Sequence, residues 1–311
     1  TQDQRKESPY RTLDGRSAHP QKFDGARDAR EFIQKYDAVE GIEVHGYERF
    51  VYQWISDKYK GPVEFDMKQM KIWTIDIEVA CENGFPDVQA SAEEMLCITM
   101  KNVNTKETIT WGTREFSPAD TEYRVFWTEQ EMLQNFHKWW VDNTPDVITG
   151  WNCNLYDMPY ICRRMERVLG EKWMRSLSPW NKVDMREVVI KGRTNLAYEI
   201  AGVTILDYLD LYQKSYRLDH IAYVELGQNK LDHSQFENFK DFYTSDWQRF
   251  VEYNIQDVNL VDRLEDKMRL VELALTLAYD AKVNLSDVYS QVRMWDTLIY
   301  NDLKARNIVV P

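Results

Sequence analysis

Near residue 70 the spacing of apolar and polar positions changes character. Before that point, Thr1–Pro20 is polar, charged and turn-rich, keeps no period, and reads as a loop. Ala26–Tyr36 has helical spacing, and Glu43–Ile55 and Pro62–Phe65 read as short strands, so that Thr1–Lys68 resembles a small accessory domain that is not self-contained. From Lys71 a period of two takes over. Ile72–Val79, Met95–Asn102, Glu107–Trp111 and Tyr123–Trp127 are expected strands, most of them joined by short polar turns, which suggests an antiparallel meander. An amphipathic helix is expected over Glu129–Val141, then a strand Asp146–Gly150, then a helix Met158–Leu169 that stops at Gly170. Val183–Ile190 and Ala197–Leu206 read as a hairpin around Gly192 and Asn195. Helices are expected at Leu218–Leu226, Ser245–Lys267, Leu270–Ala281 and Ser286–Ala305. A mixed sheet flanked by helices places the chain in the α/β or α+β class.

The first of these strands carries the first candidate chemistry. In Lys71–Val79 the apolar residues Ile75, Ile77 and Val79 alternate, so Asp76 and Glu78 share the opposite face. Adjacent carboxylates on a hydrophobic strand repel each other and resist desolvation, which a cation between them relieves. A polar, solvent-facing edge strand is the plainer reading. Asp157, just ahead of Met158-Pro159, reads on its own chiefly as a helix N-cap with Pro159 in the first turn. Asp257 lies four residues after Tyr253 on one helix face, either as a buried hydrogen-bonded pair or as a further metal ligand with a phenol beside it. Carboxylates contributed by a strand, a strand–helix junction and a distant helix fit a two-magnesium site that clamps a displacement at phosphorus. A glycosidase pair is disfavoured, because neighbours on one strand face do not flank a sugar from opposite sides.

Composition narrows the field. The formal charge of −12 argues against indiscriminate nucleic-acid binding over the whole surface. One local segment is cationic: between Tyr160 and Asn195 stand nine Lys/Arg (Arg163, Arg164, Arg167, Lys172, Arg175, Lys182, Arg186, Lys191, Arg193) against four acids. This is either a solvated face or a basic channel. The four cysteines show neither a metal nor a disulfide spacing and read as reduced thiols of a cytosolic protein. No apolar run reaches membrane-span length, and no signal-peptide pattern is read at the start.

The order of the acidic motifs says more than their spacing. Asp76-Ile-Glu78, Asn152-x-x-x-Tyr156-Asp157 and Tyr253-x-x-x-Asp257 follow the order and approximate separation of the three exonuclease motifs of proofreading DNA polymerases. With Ile-Thr-Gly-Trp-Asn, Ile-Leu-Asp-Tyr-Leu-Asp-Leu-Tyr and Tyr-Asn-Ile-Gln-Asp-Val around them, the chain resembles the family B replicative DNA polymerases of T-even-like bacteriophages from about Ala18 to its C-terminus. The resemblance implies an α/β, ribonuclease-H-like (DnaQ-like) exonuclease domain over 71–284, with a mixed sheet flanked by helices. It further implies part of a small polymerase N-terminal domain over 1–70 and a helical return segment over 285–311 leading toward a palm domain. The implied activity is a metal-dependent 3′-5′ exodeoxyribonuclease of the tyrosine (DEDDy) branch, which proofreads by removing 3′-terminal nucleotides from single-stranded or frayed primer ends.

The resemblance makes Asp76, Glu78, Asp157 and Asp257 ligands of two divalent ions, Mg²⁺ or Mn²⁺, with Tyr253 aligning the attacking water. It makes Phe85, in Gly84-Phe-Pro86, an aromatic near the unpaired 3′ end, although ordinary turn packing against Pro86 is the plainer reading. Asn152 and Tyr156 would hold the strand, and Lys230 resembles a lysine near the scissile phosphate, at a spacing from Asp257 that departs slightly from the family's. The hairpin Val183–Leu206 resembles one that helps part primer from template, its flanking basic residues contacting phosphate. The implied partners are single-stranded DNA or a primer 3′ end and a palm, fingers and thumb portion, with no membrane; the implied location is the cytoplasm of an infected bacterial host. Nothing in the chain resembles palm, fingers or thumb, so it reads as an excised fragment or a split-gene product, and nucleotide addition is not assigned to it. The alternative is a non-catalytic nucleic-acid-binding fragment that needs its polymerase half.

Overall fold

The computed structural model describes residues 8–37, 39–82, 84–190, 192–212 and 217–310. Residues 1–7 of the expected opening loop, Lys191 and Pro311 lie outside the described residues. The chain forms two compact units, Thr1–Phe65 with Ala274–Pro311, and Asp66–Leu273. The segment 285–311 therefore falls in one unit with the N-terminal residues, and the second unit ends at Leu273 where the sequence reading runs to 284.

The chain opens with β1 (Tyr10–Thr12) and β2 (Ser17–Ala18), short strands inside the segment expected to be a loop. Next come α1 (Ala26–Tyr36) and α2 (Phe50–Lys58). α2 corrects the strand expected over Glu43–Ile55: its aromatic and β-branched residues suit a strand, but its buried positions, Tyr52 and Ser56, recur at a helical interval of four. No strand forms over Pro62–Phe65. Tyr52 and Ile55 pack with Ala278, Ala281 and Val283 in the core of this unit.

The larger unit runs β3 (Ile72–Val79), β4 (Met95–Asn102), β5 (Thr108–Gly112), β6 (Glu122–Val125), α3 (Glu129–Asn143), β7 (Val147–Gly150), α4 (Asp157–Leu169) and α5 (Glu171–Arg175). It continues with β8 (Val183–Ile190), β9 (Arg193–Ile200), β10 (Thr204–Asp207), α6 (Tyr208–Tyr212), α7 (Leu218–Leu226), α8 (Phe239–Ser245) and α9 (Trp247–Met268). α10 (Leu270–Ala281) crosses the boundary between the units. α11 (Gln291–Ala305) and β11 (Ile308–Val309) follow, with β11 parallel to β1.

The main sheet has the order β10-β7-β3-β4-β5-β6. β3, β4 and β5 pair antiparallel as expected, but β6 lies parallel to β5, because the connection 113–121 returns the chain before the strand begins. The expected strand Ala197–Leu206 is two strands. A turn at Ala201–Gly202 ends β9, with Val203 N–H bonded to the Ile200 carbonyl at 2.9 Å and Gly202 at φ 93°, and β10 then joins the main sheet beside β7. The β8–β9 hairpin forms its own two-stranded sheet. α11 begins five residues later than expected, after a 3₁₀ turn, where the Ser290 hydroxyl caps Arg293 N–H.

β3 is not half-buried but central, with both faces covered. Trp73, Ile75, Ile77 and Val79 enter a core with Met132, Phe136 and Trp140 of α3 and Met158, Ile161 and Met165 of α4. The other face, carrying Asp76 and Glu78, meets α9. A second cluster on this side joins Leu96 and Cys97 of β4 to Phe242, Phe250 and Val251. α9 starts at a cap in which the Asp246 carboxylate accepts Arg249 N–H at 3.0 Å.

Candidate functional site

The site forms at the C-terminal end of β3. One carboxylate oxygen each from Asp76, Glu78 and Asp257 lies within 4.8 Å of the others, an assembly drawn from β3 and α9. The β3–β4 register shifts between Glu78 and Val79, a bulge where the strand leaves the sheet beside the cluster. At the neighbouring end of β7, a Cβ on Gly150 would sit 2.5 Å from the Ile75 carbonyl oxygen, so glycine alone lets that strand close on β3 here.

The cluster is electrostatically strained. Burial, then repulsion from Asp157, Asp257 and Glu78, pushes Asp76 well above the usual carboxylate range; burial and repulsion from Asp257 do the same to Glu78. Burial raises Asp257 to about 6, against the pull of Lys230. Lys230 Nζ forms an ion pair with Asp257 Oδ2 and stands 4.7 Å from the centre of the Tyr253 ring. Asp257 Oδ1 is buried with no hydrogen-bond partner. Three hard oxygen donors, one of them orphaned, beside carboxyls that resist ionisation are the donor set that suits a hard divalent cation.

Asp157 is placed differently. The N-cap of α4 is Tyr156, which makes no side-chain cap, and Asp157 is the first helical residue; its Oδ1 accepts Ile77 N–H at 3.0 Å, bracing α4 against β3. The helix-cap reading of Asp157 is therefore corrected. Burial raises it to about 8 although the Ile77 bond favours the anion. Asn152, at φ 65°, turns the chain after β7, its carbonyl accepting Tyr156 N–H at 3.0 Å. Phe85 is 83% exposed, and its ring centre lies 5.2 Å from that of Tyr156.

Two buried polar residues escape the sequence reading. Asn254 donates from Nδ2 to Asp76 Oδ2 at 2.6 Å, while its Oδ1 faces the Cys97 thiol at 3.4 Å. Its signal was an amide among the buried apolar residues Phe250, Val251, Val258 and Val261 of α9. Asp207 accepts the N–H groups of Asn152 (2.9 Å), Asn154 (2.8 Å) and Leu209 (3.0 Å), holding the turn before α4 to the start of α6. Burial raises it to about 7 despite those donors.

The basic segment divides. Arg163, Arg164 and Arg167 donate to backbone carbonyls of residues 89–92, and Arg164 also forms a buried pair with Glu129 at 2.7 Å. Lys182 and Arg175 pair with acids on the surface, while Lys191 and the side chain of Arg193 are outside what is described. Among the described residues no helix is long and apolar enough to cross a membrane.

A mixed sheet of this strand order, flanked by helices and bearing acidic side chains on its central strand against a helix, is ribonuclease-H-like. The chain belongs to the family described as DNA polymerase family B, exonuclease domain, which matches residues 51–224. It is 30% identical to the DNA-directed DNA polymerase of Enterobacteria phage T4, across 99% of this chain and 38% of that protein. It is 27% identical to the DNA-directed DNA polymerase of Escherichia phage RB69, across 97% of this chain and 37% of the relative. Against the DNA polymerase catalytic subunit of human herpesvirus 6B the identity is also 27%, across 77% of this chain and 26% of the relative. The chain thus spans under two fifths of the length of these curated relatives.

Proposed function

We propose that the chain is a divalent-metal-dependent 3′-5′ exodeoxyribonuclease of the tyrosine (DEDDy) branch, acting on single-stranded or frayed 3′ ends as the proofreading part of a phage polymerase in the infected cell. The observation that carries this reading is the Asp76–Glu78–Asp257 cluster with its unpartnered buried oxygen. Divalent cations held by Asp76, Glu78 and Asp257, with Asp157 completing the set, would supply Lewis-acid stabilisation at phosphorus and a water of lowered pKa. The chain's own groups do the rest. Tyr253, whose phenol burial and the Asp257 charge keep protonated, orients the attacking water by hydrogen bonding. With Asp257 turned to a cation, Lys230, now paired with that carboxylate, would be placed to meet the scissile phosphate. Burial opposes its charge more than any one neighbour favours it, but attraction to Asp257, Tyr253 and Asp76 together keeps it cationic.

Phe85 and Tyr156 stack on the terminal base, a contact worth roughly 1–3 kcal/mol that ignores base identity, as an enzyme excising any nucleotide requires. Asn152 shapes the strand's path. A paired end must unstack to reach this pocket, so single strands are cut faster than duplex ends. Release of nucleoside monophosphate from a single-stranded oligonucleotide in Mg²⁺ tests the reading. Asp76→Ala and Asp257→Ala are each expected to lose about 10³-fold or more in rate, the loss of several kcal/mol of barrier stabilisation. Undiminished release by either variant would end the proposal. Magnesium-independent binding without cleavage would point instead to a non-catalytic fragment.

A further inference from the structure

The loop between β3 and β4 carries Phe85 at an exposed tip, and one helix holds its far side. Five consecutive carbonyls of that loop are taken by side chains of α4: Gln89 by Arg163 (3.0 Å), Ala90 by Arg167 (3.1 Å), Ser91 and Ala92 by Arg164 (3.1 and 2.9 Å), and Glu93 by the Tyr160 hydroxyl (2.7 Å). These residues lie at helical intervals along one side of α4. Arg164 is buried and fixed from behind by a bidentate pair with Glu129, which also accepts Met95 N–H at 2.8 Å. At the near side of the loop, Glu82 is bonded to Lys240 and to the Tyr243 hydroxyl of α8. The same α4 begins at Asp157, whose carboxylate is bonded to β3 between Asp76 and Glu78. One rigid helix is thus indexed to the acidic cluster at its first turn and to the Phe85 loop along its length.

We propose that Arg163, Arg164, Arg167 and Tyr160 are positioning residues that set the Phe85 loop relative to the carboxylate cluster, and that these arginines act through Phe85 rather than by contacting DNA phosphate. The inference rests on the reading of the site as a 3′-end nuclease with Phe85 against the terminal base. A guanidinium shared with backbone carbonyls has fewer donors for phosphate, which separates these arginines from an ordinary cationic strip. The tether also matters: a ring on an unfixed loop meets the terminal base only part of the time, which weakens binding in the ground and transition states alike.

The test uses the full chain with Arg163→Ala and Arg167→Ala combined, leaving the buried Arg164–Glu129 pair intact. Hydrogen exchange at the Gln89 and Ser91 amides, bonded to Asp87, is expected to quicken about tenfold. For a single-stranded oligonucleotide, KM is expected to rise about fivefold with kcat within about twofold, the signature of lost uniform binding. In a Phe85→Ala background the same pair of substitutions is expected to add nothing, because the two routes are one. The salt dependence of binding stays unchanged. Unaltered exchange overturns the proposal, as does an equal rise in KM in both backgrounds. A salt slope reduced by about 1.4, the value for two lost phosphate contacts on a single strand, overturns it too. If the unmodified protein releases no nucleotide, the nuclease reading fails while the exchange result still decides whether α4 positions the loop.

Discussion

Asn254 illustrates how a single neutral side chain makes an acidic site tolerable. It has no access to solvent, donates to Asp76 and packs over Cys97, so it offsets part of the charge that Asp157, Asp257 and Glu78 impose on that carboxyl. Asn254→Leu, close in size, removes the donor. The expected outcome is a loss of about 1–3 kcal/mol in denaturant unfolding, together with weaker Mn²⁺ binding as Asp76 loses its fixed rotamer. Binding and stability both equal to those of the unmodified protein would show that Asp76 needs no such support. Asp76 and Glu78 were legible in the sequence because a period of two puts them on one face whatever the fold. Tyr253 and Asp257 were legible because four residues make one helical turn. Asn254 and Asp207 were not: Asp76 for the one, and the turn at Asn152 and Asn154 for the other, lie more than fifty residues away, and no local period carries that information. For Asp157, the local rule for a helix start gave a cap, whereas the tertiary bond to Ile77 N–H claims the carboxylate.

At the scale of elements, α3, α4 and the β3–β4 loop meet at Arg164 and Glu129. Both groups are buried, and each is satisfied by the other and by backbone. Removing one partner leaves an uncompensated charge in the interior. Glu129→Ala is therefore expected to cost about 3–5 kcal/mol in equilibrium unfolding. A cost under about 1 kcal/mol would mean that water reaches Arg164. The long elements were readable from their patterns: β3, β4, α3, α4 and α9 stand close to where alternation and helical spacing put them. The misreadings have identifiable causes. α2 is rich in residues that favour strands, and its contacts with Ala278, Ala281 and Val283 override that preference. The β9–β10 division depends on one turn at Gly202 inside an apolar run, and the direction of β6 depends on where its connection returns.

For the molecule as a whole, the acids of the site tie stability to pH and, on the proposed reading, to cations. Asp257, Asp207 and Asp157 have folded values of about 6, 7 and 8 against an ordinary 3.8, so folding takes up protons. Their stabilising effect is complete below pH 4 and is lost as pH rises through those values, with Asp257 alone worth about 3 kcal/mol. Exposed acids held low by hydrogen bonds, Asp14 and Asp232 among them, shift stability only near and below pH 4 and leave this window unchanged. In EDTA, Tm is accordingly expected to fall between pH 5 and 8; a rising or flat profile would show that these carboxyls ionise freely in the fold. On the proposed reading, divalent ions would bind the ionised form and release protons, so the gain in Tm from Mn²⁺ is expected to grow with pH. The most direct test is Tm at pH 8 with and without saturating Mn²⁺, for the unmodified protein and for Asp76→Ala combined with Asp257→Ala. A site built from these acids predicts a rise of about 5 °C in the unmodified protein and none in the variant; an equal rise in both, or none in either, would contradict it.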